Sequence, residues 1–237
     1  MKERVERQLE LEQSVKSRVA NFPHRSMLKI AATVTDSSVR SAAFMQQVRT
    51  LKKMAADAQC LSFSAPKNHW DARVVLVKNS IDQDGFETWV NPSIPQYDST
   101  DAITPMYGMW ENCVSCGVCH AWVLRPQTVM VTGWDEFGNE KQDMLTGIRA
   151  RTLMHELDHL DAKVILHRAM GPEFIVSMQA LGQKDLWPAN FPSAEASMTG
   201  PCQFFDYVKN EVIVPPGMEW FYAQAAHNEF DDKKIKS

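Results

Sequence analysis

The 237-residue chain predicts an α+β fold in which mostly antiparallel strands wrap around one central helix. Three observations carry this. An H-E-x-x-H pattern, His155 to His159, lies in a stretch whose apolar residues recur at helical spacing. Short runs rich in β-branched and aromatic residues, bounded by turn residues, read as strands. The last two of these strands form a hairpin that leads straight into the helix, so strands and helix share one core.

Each element follows in chain order. Residues 1 to about 20 mix charged side chains with Val5, Leu9, Leu11, Val15 and Val19, the pattern of an amphipathic helix that Pro23 ends. The expected organisation is an N-terminal helical arm (1–22), a central domain (23–170) and a C-terminal helix with an aromatic-rich extension (171–237). Ser37 and Ser38 are placed to cap a helix carrying Val39, Ala43, Val48, Leu51 and Ala55. Arg73–Val77 reads as a buried strand. Thr88–Val90 reads as another, closed by Asn91-Pro92. Thr128–Trp134 and a return strand Glu140–Leu145 pair about a turn at Asp135–Asn139. Thr146 is the expected N-cap of the central helix, and Ile148, Leu153, Leu157 and Leu160 are its apolar stripe. Pro172–Leu181 reads as a helix with proline in its first turn and Gly182 at its end. Trp187, Phe191, Phe204, Phe205, Tyr207, Trp220, Phe221 and Tyr222 then give a tail expected to pack on the domain.

Composition narrows the function classes. The net charge is −4 with no long basic block, which argues against nucleic-acid binding as the main activity. No apolar run approaches the ~20 residues of a membrane span. No secretory signal is visible, and Glu3, Glu6, Glu10 and Glu12 make the start too acidic for a mitochondrial transit peptide. Five cysteines form an odd, sparse set, which suits a reducing compartment better than a disulfide framework. Cys113-x-x-Cys116-x-x-Cys119 lacks the fourth cysteine of an iron–sulfur run, since Val123 stands in its place. Cys116 and Cys119 therefore read as small buried residues beside Cys113.

The H-E-x-x-H pattern carries chemistry. Residues four apart share a helix face about one turn apart, so His155 and His159 can grip one divalent ion with Glu156 beside it as proton carrier. A catalytic site of this kind needs a third protein ligand and one open position. The longer H-E-x-x-H-x-x-G-x-x-H signature fails at Ala162 and Ile165. Glu173 and Glu195 lack a helical context. The better source is upstream, in Glu111-Asn112-Cys113-Val114-Ser115.

With these residues in view, the chain resembles the peptide deformylases, a family with a glycine-rich G-x-G-L-A-A-P-Q-like segment, then E-G-C-L-S, then Q-H-E-x-D-H-L-x-G on a helix. Here the three places hold Cys60 to Lys67, Glu111 to Ser115, and Met154 to Ala162. The likeness spans roughly residues 25 to 170. It includes Asp158 directly before the second histidine. The resemblance implies the deformylase fold, with Cys113, His155 and His159 as ligands to one Fe²⁺ or Zn²⁺ ion. It implies that a metal-bound hydroxide attacks the formyl group of N-formyl-methionyl chains, with Glu156 as general acid/base. The backbone N–H of Val114 and the side chain of Lys67 fall where the family stabilises the oxyanion. Ser62, Phe63, Ile148, Arg151 and Thr152 fall along the substrate pocket. The resemblance implies formyl-methionyl peptides or nascent chains near the ribosome as partners. By resemblance the compartment is the mitochondrion, or the bacterial cytoplasm.

Three departures from the pattern bear on substrate handling. Lys67 replaces the glutamine whose amide donates to the oxyanion, and an ammonium there is open to repulsion by the metal. Ser62 replaces the motif's second glycine. Arg151 lies four before His155 on the pocket-facing side. It is expected to turn away onto a solvated helix edge, or else to find a partner and reshape the pocket for a more acidic or smaller substrate. Asn112, in place of a glycine, is a mild change. Beside deformylation, the sequence leaves open a redirected amidase and a non-catalytic metal-containing binding protein.

Overall fold

The computed structural model describes residues 18–79, 85–95, 105–220 and 222–223. Most of the expected N-terminal arm, residues 1–17, and Phe221 of the aromatic tail lie outside the described residues. Ten strands are described: β1 (Ser62–Ser64), β2 (Val74–Lys78), β3 (Phe86–Ser93), β4 (Met106–Asn112), β5 (Cys119–Pro126), β6 (Thr128–Trp134), β7 (Glu140–Thr146), β8 (Ile175–Ser177), β9 (Phe204–Asp206) and β10 (Glu211–Ile213). The helices are α1 (Asp36–Val39), α2 (Ala42–Asp57), α3 (Gly147–Leu160), α4 (Met178–Leu181) and α5 (Ala194–Met198).

The strands form two five-stranded sheets, ordered β1-β2-β3-β6-β7 and β10-β9-β4-β5-β8. All pairings among the described strands are antiparallel. This is the α+β arrangement that the sequence predicts. The hairpin β6–β7 runs in register from Thr128↔Thr146 to Trp134↔Glu140 and delivers the chain into α3.

Helix α3 is central in a literal sense: twelve of its fourteen residues are buried. Ala150, Leu153, Met154, Leu157 and Leu160 pack against Val75, Val77, Trp89, Val129, Val131 and Leu145 of the first sheet. A helix buried on nearly every side has no solvent for its charged residues. Arg151, His155, Glu156, Asp158 and His159 must therefore find partners inside the protein. Thr146 is the N-cap residue, though its side chain makes no capping hydrogen bond. The first turn is completed from afar, by the Pro216 carbonyl accepting from the Ile148 amide at 3.0 Å. Gly147 sits there at φ +58°, and a Cβ on it would lie 2.4 Å from that same carbonyl oxygen.

Several local expectations are corrected. The expected Ser37-Ser38 cap resolves into two helices. Thr35 caps the single turn α1, and Ser41 caps α2 through a 3.1 Å bond from the Phe44 amide. Strand β3 does not stop at Asn91-Pro92. It continues to Ser93 through a register shift, which accommodates the proline. Asn91 there takes φ +50° and exchanges two side-chain bonds with the Val34 backbone, at 2.9 and 2.8 Å. The helix expected over Pro172–Leu181 is a 3-10 turn, then β8, then the one-turn α4. Ile175 and Val176 favour strand, and the edge of β5 supplies a partner, Cys119↔Ser177 to Ala121↔Ile175.

Residues beyond 170 thus supply β8, β9 and β10 to the second sheet. Phe205, Leu181 and Ala196 pack with Trp110 and Trp122. Phe204 is fully buried and stacks on Tyr107, ring centroids 4.7 Å apart. No described helix is long and apolar enough to cross a membrane.

Candidate metal centre

Cys113, His155 and His159 converge. Their ligand atoms all lie within 4.8 Å of one another, and the Cys113 Sγ to His159 Nε2 distance is 3.3 Å. Cys113 ends the segment after β4 and caps a 3-10 turn, Val114–Cys116, in which the Cys116 amide bonds back to the Cys113 carbonyl at 2.9 Å. The two histidines come from one face of α3, with ring centroids 4.9 Å apart.

Each imidazole uses its Nδ1 on an outer partner. His159 Nδ1 lies 3.1 Å from the Lys163 carbonyl. A carbonyl can only accept, so Nδ1 carries a proton, and Nε2 is the nitrogen on the Cys113 side. His155 Nδ1 lies 3.1 Å from Glu111 Oε2, the same orientation device with a carboxylate. Burial lowers the His155 pKa. The neighbouring Cys113 thiolate and Glu111 outweigh it and raise the ring to about 10. The bond from Cys116, with the positive charges of His159, Lys67 and His155, outweighs burial and holds Cys113 well below the usual thiol range.

The donor set fits a divalent ion. One ion at zinc-type bond lengths would hold a sulfur and a nitrogen about 3.6 Å apart in tetrahedral geometry. The 3.3 Å between Cys113 Sγ and His159 Nε2 is close to that value. Glu156 gives a second, independent indication. Its Oε1 accepts from Ser62 Oγ at 2.9 Å and Lys67 Nζ at 2.7 Å, whereas Oε2 is buried and has no hydrogen-bond partner. A buried lone carboxylate oxygen beside three ligands fits a water held by an ion. Burial raises the Glu156 pKa, and the Lys67 ammonium outweighs it, so the group is held as a carboxylate.

A cavity of about 780 Å³ opens on this centre. Ser62, Lys67, Val114, Ile148, Arg151, Thr152 and Glu156 all line it. Phe63 does not. It is fully buried in the core between α2 and the first sheet, and its ring lies behind Lys67, 5.4 Å from Nζ. Met178 and Val118 form the cavity's lip, joined by a 2.9 Å bond from the Met178 amide to the Val118 carbonyl.

Two expectations about charge are corrected. Lys67 is not expelled: it is 2 % exposed and paired with Glu156. Arg151 is neither solvated nor turned away. It is buried, ion-paired with Glu111, bonded to the Tyr107 carbonyl at 2.5 Å and set over the Phe204 ring. Cys116 and Cys119 are half-buried rather than buried.

The sequence reading missed the network that makes this possible. Arg125 clasps Glu111 with two bonds, 2.7 and 3.0 Å, and reaches Asp158 at 2.9 Å. Arg168 holds the other Asp158 oxygen at 2.6 Å. Glu111 therefore gathers Arg125, Arg151 and His155 on one buried carboxylate. A signal existed. Ala121, Val123 and Arg125 alternate on the inward face of β5, so an arginine at that place needed buried anions.

Comparison with known proteins decides the family. The polypeptide deformylase profile matches residues 16–174. The chain belongs to the polypeptide deformylase family. It is 26 % identical over 154 residues to a peptide deformylase of Rhodopirellula baltica, covering 63 % of this chain and 71 % of that one. It is 30 % identical over 125 residues to that of Caldicellulosiruptor bescii, covering 53 % and 70 %. The fold matches a deformylase structure from Legionella pneumophila with a TM-score of 0.57 at 22 % identity, over 65 % of this chain and 85 % of that one. It also matches a Met-Ala-Ser-bound class I type b enzyme from Acinetobacter baumannii, TM-score 0.57 at 23 % identity, over 63 % and 96 %.

Proposed function

We propose that this deformylase-family protein removes the formyl group from the N-terminal methionine of newly made polypeptides. The observation that carries the reading is the cluster of Cys113, His155 and His159, with Glu156 next to His155 in the same cavity wall and one of its carboxylate oxygens buried without a hydrogen-bond partner. A divalent cation held there, Fe²⁺ or Zn²⁺, supplies Lewis acidity that brings the pKa of a water from 15.7 to roughly 7. Glu156 accepts that water's proton on Oε2. The oxygen adds to the formyl carbon, and the charge on the former carbonyl oxygen meets the N–H of Val114. Amides in the first turn of a helix have no partner within it, which leaves this one available. Glu156 then gives the proton to the amine as the C–N bond breaks, and formate and a free N-terminus leave.

Ser62, Ile148, Arg151 and Thr152 form the wall that meets the methionine side chain. Arg151 contributes mainly its stem and ring contact there, because Glu111 already occupies its guanidinium. The compartment suited to such an activity is one that makes formylated chains, the mitochondrion or the bacterial cytoplasm, with emerging chains at the ribosome as substrate.

The test is hydrolysis of N-formyl-Met-Ala-Ser by protein reconstituted with iron(II) without oxygen. Glu156→Gln should retain the ion and lose at least ~10²-fold in kcat, the usual size of an acid/base contribution. A variant as fast as the parent would sink the mechanism.

A further inference from the structure

Ser62 and Lys67 look, in sequence, like two separate losses from the family pattern. In space they end on one atom. Ser62 Oγ and Lys67 Nζ both donate to Glu156 Oε1, at 2.9 and 2.7 Å. All three side chains are buried. Ser62 sits on β1, and Lys67 on the 3-10 turn Ala65–Asn68 that follows directly. The Lys67 carbonyl is itself anchored by the Ala20 amide at 2.8 Å. One continuous segment therefore presents two donors to one carboxylate oxygen. The carboxylate cannot rotate without breaking both bonds, and its other oxygen is left buried without a hydrogen-bond partner.

We propose that Ser62 and Lys67 form a clamp on Glu156, positioning residues that fix which oxygen carries protons, and that the Lys67 ammonium serves Glu156 instead of the substrate's oxyanion. This rests on the acid/base role given to Glu156 above. The two departures are then one device. Loss of either member loosens the carboxylate, and reorientation of a reacting group by a fraction of an ångström is costly in rate.

The experiment uses the zinc-loaded full chain and the variants Ser62→Ala, Lys67→Met, Lys67→Gln and Glu156→Gln, singly and combined. Lys67→Met should lower kcat on a formyl-Met peptide about ten- to a hundredfold with KM within twofold. Ser62→Ala, which removes only one hydroxyl, should lower it several-fold. Lys67→Gln should recover part of the Lys67→Met loss, because an amide still donates. In the Glu156→Gln background, Lys67→Met should cost nothing further; an equal loss in both backgrounds overturns the clamp. Binding of a formyl-peptide phosphonate, an anionic tetrahedral analogue, gives a readout apart from turnover. Lys67→Met should weaken it less than threefold, whereas a loss of ~10²-fold or more assigns Lys67 to the oxyanion and overturns the proposal. A parent that neither hydrolyses the peptide nor binds the phosphonate defeats the deformylase reading alone. Melting temperatures then judge the clamp: Lys67→Met should lower the melting point, and Lys67→Met with Glu156→Gln should restore most of it. Strictly additive losses overturn it.

Discussion

Glu111 does more electrostatic work than any other residue in the site. It orients His155, neutralises Arg151 and Arg125, and lines the cavity. Burial raises its pKa, but the two guanidinium groups outweigh that and hold it well below the usual carboxylate range. Glu111→Gln should therefore have two separable effects. Ion affinity, measured by competition with a chromophoric chelator, should fall ~10–100-fold, as when a partner behind a metal-binding histidine is lost. Stability in urea should fall by about 3–5 kcal/mol, because two buried arginines lose the carboxylate they share. An unchanged chelator titration would show that His155 needs no orienting group. The convergence of Cys113, His155 and His159 could be read at this scale because these are residue types with fixed chemistry in recognisable motifs. The fate of Arg151 could not, because its partner lies on a strand that is remote in sequence, and helix spacing says only which face it occupies.

At the scale of elements, α3 is held by charge on one side and by backbone on the other. Asp158 joins Glu111 in the buried network, its pKa lowered by Arg125 and Arg168 against the opposing effect of burial. A carboxylate depressed in the folded state contributes stability that is present above its unfolded value, near 4, and is lost as pH falls through the folded value. The urea midpoint should thus stay level for these groups above about pH 5 and fall steeply below about pH 4. A midpoint that is flat down to pH 3 would contradict the network. At the other end of the helix, Gly147→Ala should cost about 1–3 kcal/mol, because an alanine at φ +58° is strained and its Cβ would press on the Pro216 carbonyl. A melting point equal to the parent's would show that the turn relaxes freely. The helix itself and the β6–β7 hairpin were legible from periodicity and turn residues. Strand β8 was not: proline and glycine at plausible cap positions suggested a helix, while pairing with β5, a non-local contact, made the segment extended.

For the molecule as a whole, the C-terminal residues are part of the sheet that carries Glu111. Strand β9 pairs with β4 at Tyr107↔Asp206 and Gly108↔Phe205, and Phe204 fills the space between Tyr107 and Arg151. Phe204→Ala should destabilise the protein by about 3–5 kcal/mol in urea unfolding, the cost of a large cavity in a closed core. A cost under ~1 kcal/mol would mean that the tail is only loosely applied. The sequence announced an aromatic-rich tail that packs on the domain, but not that it supplies strands, because runs of three residues carry too little periodicity to identify.

The Pro216 carbonyl that receives the Ile148 amide has a consequence for biosynthesis. Translation makes both histidines long before it makes their helix's distal cap. A nascent chain that stops short of Pro216 owns every ligand of the cage, yet its central helix begins with an unanswered amide. Closure of the helix's first turn is thereby tied to the synthesis of Pro216 rather than to the appearance of the motif.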